Sequence, residues 1–367
     1  MKNHDAARRP PWTGAYKHNW DESYKRVMAW WHCEETDRPV VFGGAPKPAS
    51  EIRGTYIGAK TAEEAERFGL DPDVQLTNNR CNVENNLYLA ESAPGTMVYY
   101  GSTIALPCVQ AGGKIRYAPD LHAWIERDET IYERPLPELS QPCRELDFIL
   151  DMIRRYHETF GFDVVLGAYP MLDPLTTLSM LRGSENFLMD LIDRPAEVKR
   201  WAARLGEFHR QAVESFRAAR AVYGRREDFN WTGAWAPGDM DAVQCDVSAM
   251  LSPEMFREFV LPEAEREAAF YDYTIWHLDG TDEFKHIDDI CAIPNLHAIQ
   301  YVDEKSRDPI EFAHIWEHIL RKGKSIVFSC DARYAPALTK RLGRKGLAFA
   351  SWCDTEAGME RLLKQLE

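Results

Sequence analysis

The chain has 367 residues, 45% of them hydrophobic and 28% charged, with a formal net charge of −14. This is the composition of a globular protein with room for a large core. The acidity argues against a nucleic acid or an anionic membrane surface as partner, since both attract Lys/Arg patches.

The N-terminus "MKNHDAARRPPW" has no apolar h-region, and no run of 18 apolar residues follows. A cytoplasmic protein without signal peptide or membrane span is expected. The eight Cys form no CxxC pair. Reduced thiols are then expected, and a zinc ribbon or thioredoxin-like motif is not.

In chain order, residues 1–37 read as an arm followed by a helix. "WDESYKRVMAWWHCEET" places Tyr24, Val27, Met28 and Trp31 at helical spacing, and the Trp30–Trp31 pair reads as core packing. From residue 38 short apolar runs recur: "RPVVFGG" (38–44), "GTMVYYGSTIAL" (95–106), "FDVVLGAYP" (162–170) and "FNWTGAW" (229–235). "YTIWHLDG" (273–280), "LHAIQYV" (296–302), "SIVFSC" (325–330) and "GLAFASW" (346–352) follow. Amphipathic helical stretches lie between most of them. Eight such units predict a parallel sheet closed into a (β/α)8 TIM barrel over residues 38–367. The first 37 residues form an N-terminal helical extension, and the irregular stretch between the first two strands an elaborated region. An open doubly wound sheet would want an early Gly-rich phosphate loop, and neither GxGxxG nor GxxxxGK[ST] occurs.

Barrel enzymes carry their reactive groups at the C-terminal ends of strands. There the fifth run puts His277 and Asp279 on one face, by its period of two. The seventh and eighth end in Cys330 and Cys353, each followed by an Asp. Nitrogen, oxygen and sulfur donors converging on one mouth suit zinc, with a position left open for substrate. Cys245, in a loop, is a weaker candidate. His286 reads as a solvated or capping residue, and His314 with His318 as surface or packing.

Three stretches carry a resemblance: "GDMDAVQCDVSAMLSPEMFREFVLPEAE", "YTIWHLDGTDEFKHIDDICAIPNLHAIQYV" and "MLRGSENFLMDLIDRPAEVKRW". With "DRPVVFGG" they resemble the uroporphyrinogen decarboxylase superfamily over roughly residues 38–365. The resemblance is to its decarboxylase-like branch, beside the cobamide-dependent methyltransferases, and it too implies a (β/α)8 barrel. The Arg-rich stretch with which true decarboxylases bind porphyrinogen carboxylates is replaced here by "FGGAPKPAS", with Lys47 alone. Porphyrinogen decarboxylation is not expected. The methyltransferase branch implies zinc held by His-x-Cys on strand five and Cys on strand eight. The matching positions are His277, Asp279 and Cys353, so a carboxylate stands where a thiolate is expected.

The leading expectation is a zinc-dependent methyltransferase acting on a corrinoid-bound or other activated methyl group. His277, Asp279, Cys353 and Cys330 would hold the metal, and Asp246 and Tyr301 would position substrate. The alternatives are a cofactor-free decarboxylase or lyase on a small carboxylic acid, and a non-catalytic corrinoid- or small-molecule-binding protein. Expected partners are a small-molecule substrate and a corrinoid protein, with no nucleic acid and no membrane. A homodimer stays open.

Overall fold

A computed structural model describes residues 12–97, 104–119, 123–140, 142–167, 171–303 and 305–367. The parts of the second and third apolar runs at 98–103 and 168–170 lie outside the described residues, as does the arm up to residue 11.

The core of the fold is a six-stranded parallel sheet. Its strands are β1 (Val40–Val41), β4 (Met240–Val243), β5 (Tyr273–Asp279), β6 (Ala298–Val302), β7 (Ser325–Phe328) and β8 (Leu347–Phe349), in the spatial order β1-β8-β7-β6-β5-β4. Two further strands, β2 (Gly95–Thr96) and β3 (Val165–Leu166), form a separate parallel pair. Parallel neighbours require crossovers, and helices supply most of them. The crossover helices include α2 (Pro72–Glu84), α3 (Arg144–Phe160), α4 (Pro174–Arg182), α5 (Pro195–Ala221), α6 (Leu261–Ala268), α7 (Ile287–Ala292), α8 (Ala313–Arg321) and α9 (Ala335–Leu342), while α1 (Trp20–Trp31) precedes β1 and α10 (Glu356–Leu366) follows β8. The result is a mixed α/β fold around a central parallel sheet. No helix of the described residues is long and apolar enough to cross a membrane.

Both faces of the sheet are buried, which is why its strands read as continuous apolar runs. One face carries Val40, Ile275, Ala298, Val327 and Ala348, packed with Trp30, Trp31, Phe42 and Trp235. The other carries Val41, Trp276, Leu278, Ile299, Phe328 and Phe349, packed under the helices.

α1 lies across the N-terminal ends of the strands. The Trp31 ring centroid is 5.0 Å from that of Tyr273, the first residue of β5. The Trp30 indole N–H donates to the Ile326 carbonyl at 3.1 Å, and that of Trp31 to the Trp235 carbonyl at 3.0 Å. The tryptophan pair is core, as its helical spacing predicts, and each indole N–H has the partner that burial demands.

The stretch between β1 and β2 is elaborated as expected, but more regular than its composition implies. α2 starts at Pro72 behind Asp71, whose carboxylate accepts from the Asp73 and Val74 amides. The short strands Ala45–Pro46 and Asn86–Leu87 then pair antiparallel.

One strand assignment is corrected. "FNWTGAW" does not supply the fourth parallel strand. Asp228–Phe229 and Trp235–Ala236 pair antiparallel around a tight turn. Asn230 Oδ1 accepts from the Thr232 amide at 3.1 Å, and Gly233 takes φ 84°. An Asx turn followed by a glycine at positive φ reverses the chain. The fourth parallel strand is β4, a few residues on. Its apolar pattern is interrupted by Asp241, a charge that the tertiary structure buries.

Candidate functional site

The C-terminal end of the sheet holds a row of polar side chains on adjacent strands. His277 of β5 lies on the same side as Ile275, and β6 places Gln300 beside it in register. His277 Nδ1 is 2.7 Å from Gln300 Oε1. An amide oxygen only accepts, so Nδ1 carries the proton and Nε2 the lone pair. The Gln300 amide N–H donates onward to Ser329 Oγ at 2.7 Å, just past β7. Trp231, from the turn of the antiparallel pair, packs edge-on against the imidazole with centroids 4.7 Å apart. The ring is therefore fixed in tautomer and orientation.

Next to this row is a cleft of about 470 Å³ lined by Tyr301, Asp303, Arg307, Ser329, Cys330 and Asp331, among others. Arg307 donates to Asp303 at 2.6 Å, and the Tyr301 hydroxyl to the same carboxylate at 3.0 Å. Burial opposes ionisation of Asp303, but Arg307 and the Lys305 amide outweigh it and hold the carboxyl below its ordinary value.

The expected metal ligands do not meet as a set. His277 and Asp279 share one face of β5, as the alternation predicts. Cys330 and Cys353 pack instead against the helix-side core. Ile326 and Phe328 of β7 face the helices, and period two carries Cys330 to the same side. Among the described residues, no three of these four bring ligand atoms within 4.8 Å of one another. Burial pushes the Cys330 thiol up to about 12, helped by Asp331, and raises that of Cys353. A zinc ion drawing on all four residues therefore does not fit this arrangement, although the free Nε2 of His277 suits a ligand.

Asp246 and Tyr301 occupy different surroundings. Asp246 is exposed just past β4, and its amide donates to Thr176 Oγ1 at 3.0 Å. Its charge and, more strongly, burial raise neighbouring Asp173 to about 7. The Tyr301 ring belongs to the helix side, 4.6 Å from the Trp316 ring centroid, and only its hydroxyl reaches the cleft wall. His286 is a correction: it is fully buried, stacked on Phe256 at 4.3 Å, with Nε2 3.0 Å from the Ser248 carbonyl oxygen. His318 is a surface residue, 2.8 Å from Asp288.

Sequence reasoning places Gln300 and Ser329 at strand ends but gives them no role, and it missed Trp231. Register alone links the first two to His277, and register is a property of the folded sheet. It also missed the one group of three metal-binding side chains that does meet among the described residues: His209, Asp241 and Glu267, on the helix side of β4. Burial opposes protonation of His209, but the Glu267 and Asp241 carboxylates outweigh it and raise its pKa. Burial raises Glu267 to about 8. Asp241 interrupts the apolar run of β4, which was the available signal.

No family model matches this chain, and no curated protein matches it. Among solved structures it is similar to a methyltransferase from Methanosarcina mazei, with a TM-score of 0.59 and 16% identity. The similarity covers 94% of this chain and 96% of that one. The two chains share a fold along nearly their whole length.

Proposed function

We propose that this chain is a methyltransferase of the uroporphyrinogen decarboxylase superfamily, built on a closed (β/α)8 barrel. It would transfer a methyl group from a corrinoid or other activated donor, a corrinoid protein being the natural carrier, to a small-molecule nucleophile. The observation that carries this reading is His277. Its Nδ1–H is held by Gln300, and its Nε2 is left with a lone pair at the C-terminal end of the sheet. The shared fold with a methyltransferase supports the reaction class. The order β1-β8-β7-β6-β5-β4, with β2 and β3 as the remaining pair, is the order a closed barrel requires.

In this reading the substrate X–H binds in the cleft beside Ser329, with its proton towards His277 Nε2. The X–H electron pair forms the new bond to the methyl carbon, and Nε2 takes the proton. The donor–methyl bond breaks with both electrons remaining on the donor. Gln300 Oε1 accepts from Nδ1–H throughout, and so stabilises the imidazolium that forms. Gln300 is a positioning residue and His277 the catalytic one. Zinc held by His277, Asp279, Cys330 and Cys353 does not fit the scattered thiols, so in this proposal His277 acts on its own and no step depends on an ion.

The test is demethylation of methylcobalamin by the purified protein with a panel of thiol and amine acceptors, followed by the corrinoid absorbance change. His277→Ala should lose about 10²-fold or more in kcat. Gln300→Ala should lose about tenfold and shift the pH–rate profile, because the imidazole has lost its orienting partner. Wild-type inactivity across the panel, or an unimpaired His277→Ala variant, overturns the proposal.

A further inference from the structure

Between α5 and α6 a pocket of about 250 Å³ reaches inward from the helix side of the sheet, lined by His209, Glu267, Tyr271 and Phe270 among others. Three elements each send one side chain to a common point, and two of the three side chains, His209 and Glu267, line the pocket. α5 provides His209, β4 provides Asp241 and α6 provides Glu267, and one donor atom from each lies within 4.8 Å of the other two. His209 and Asp241 are 5% and 6% exposed.

The spacing between them is informative. His209 Nε2 and Asp241 Oδ2 are 3.6 Å apart, too long for a hydrogen bond. Two ligands about 2.0–2.1 Å from one tetrahedral ion are separated by about 3.3 Å. The Tyr271 hydroxyl lies 3.1 Å from the same Nε2, filling the place of a partner. The other ring nitrogen, Nδ1, is buried without any hydrogen-bond partner.

Charge balance points the same way. Among the described residues, neither Asp241 nor Glu267 pairs with a Lys or Arg. Nearby acids are treated differently. Asp228 pairs with Arg220 at 3.0 Å, and Asp239 with Arg220 at 2.6 Å and Arg217 at 2.8 Å. Among the described residues Asp241 has only the His209 imidazole beside it at 3.6 Å as a counter-charge, and a divalent ion would neutralise both carboxylates more completely.

We propose that His209, Asp241 and Glu267 bind a first-row divalent metal ion, with one coordination position open to the pocket. One imidazole and two carboxylates suit zinc, manganese or iron(II), and no thiolate is present to select a softer ion. Asp241 lies on the side of β4 that faces the helices, with Val243, whereas His277 lies on the opposite face of the sheet. The site is therefore independent of the methyl-transfer reading, and either can fail without the other.

Chelator-stripped full-length protein titrated with Zn²⁺ and Mn²⁺ should take up one equivalent of metal. Saturating metal should raise its melting temperature. Glu267→Gln and His209→Ala should each weaken binding at least tenfold and abolish the thermal shift, whereas His277→Ala should bind as wild type. Cobalt(II) absorption of the wild-type protein reads nitrogen and oxygen coordination without relying on any variant's folding. Absence of stoichiometric uptake by the folded wild-type protein overturns the proposal. So does uptake retained by a Glu267→Gln/His209→Ala double variant, or lost with His277→Ala.

Discussion

At the scale of single residues, the protein keeps several acids in places where their charge is disfavoured. Asp173 is the clearest. Its Oδ1 caps α4 by accepting from the Leu175 and Thr176 amides at 2.9 and 3.0 Å, while its Oδ2 is buried without a partner. Burial, with the charge of Asp246, raises it from 3.8 to about 7. Glu283, which accepts from the Trp276 indole at 3.2 Å, is raised by burial to about 8. The sign follows from proton counting. Between pH 3.8 and 7 the folded state holds a proton on Asp173 that the unfolded chain has released, so stability falls as pH rises through that window. Glu283 extends the fall to about pH 8. Asp173→Asn keeps the capping oxygen and removes the titration. Denaturant unfolding at pH 5 and pH 8 should show the variant gaining on the wild type by on the order of 2–4 kcal/mol at the higher pH. An unchanged difference between the two pH values would refute the buried-acid account.

At the scale of elements, α1 is the piece whose importance the fold reveals. Its two tryptophans close the N-terminal ends of strands that are distant in sequence. The Ser325 hydroxyl at the start of β7 donates to the Trp30 carbonyl, tying helix to sheet again. Trp31 is fully buried, with its indole N–H on the Trp235 carbonyl. Trp31→Ala should cost about 3–5 kcal/mol, from lost apolar burial plus the cavity left behind. A shift of the urea midpoint with unchanged slope would be the signature. β4 is the opposite case, an element hidden by its own chemistry. Met240–Val243 reads poorly as a strand because Asp241 interrupts it, and the His209 that faces this aspartate at 3.6 Å comes from a helix some thirty residues earlier.

At the scale of the whole molecule, Glu91 joins segments that local sequence does not relate. Its carboxylate accepts from both Arg38 guanidinium nitrogens at 2.7 and 2.8 Å, from Arg26 at 3.1 Å and from the Val41 amide at 3.0 Å. Its backbone carbonyl accepts from the Trp235 indole at 2.7 Å. The side chain is fully buried, and removing its charge leaves the buried Arg38 unpaired. Glu91→Gln is therefore expected to destabilise the protein by about 3–5 kcal/mol. Thermal melting that matches the wild type would show this clamp to be dispensable.

The sequence by itself determined the parallel α/β pattern, the helix with its buried tryptophan pair, and the placing of His277 and Asp279 on one face of a strand. Each follows from a local period, 3.6 or 2, that apolar burial imposes on neighbouring residues. Tertiary structure alone decided the rest. Which strand lies beside β5, and in which register, gave His277 its Gln300 partner. Strand alternation carried Cys330 to the helix side, and Cys353 packs there too, away from the histidine. The meeting of His209, Asp241 and Glu267 spans three elements and has no sequence period at all. Local patterns report which side of an element is buried. They carry no information about which distant side chain will be buried against it, because that is set by sheet order, register and helix packing.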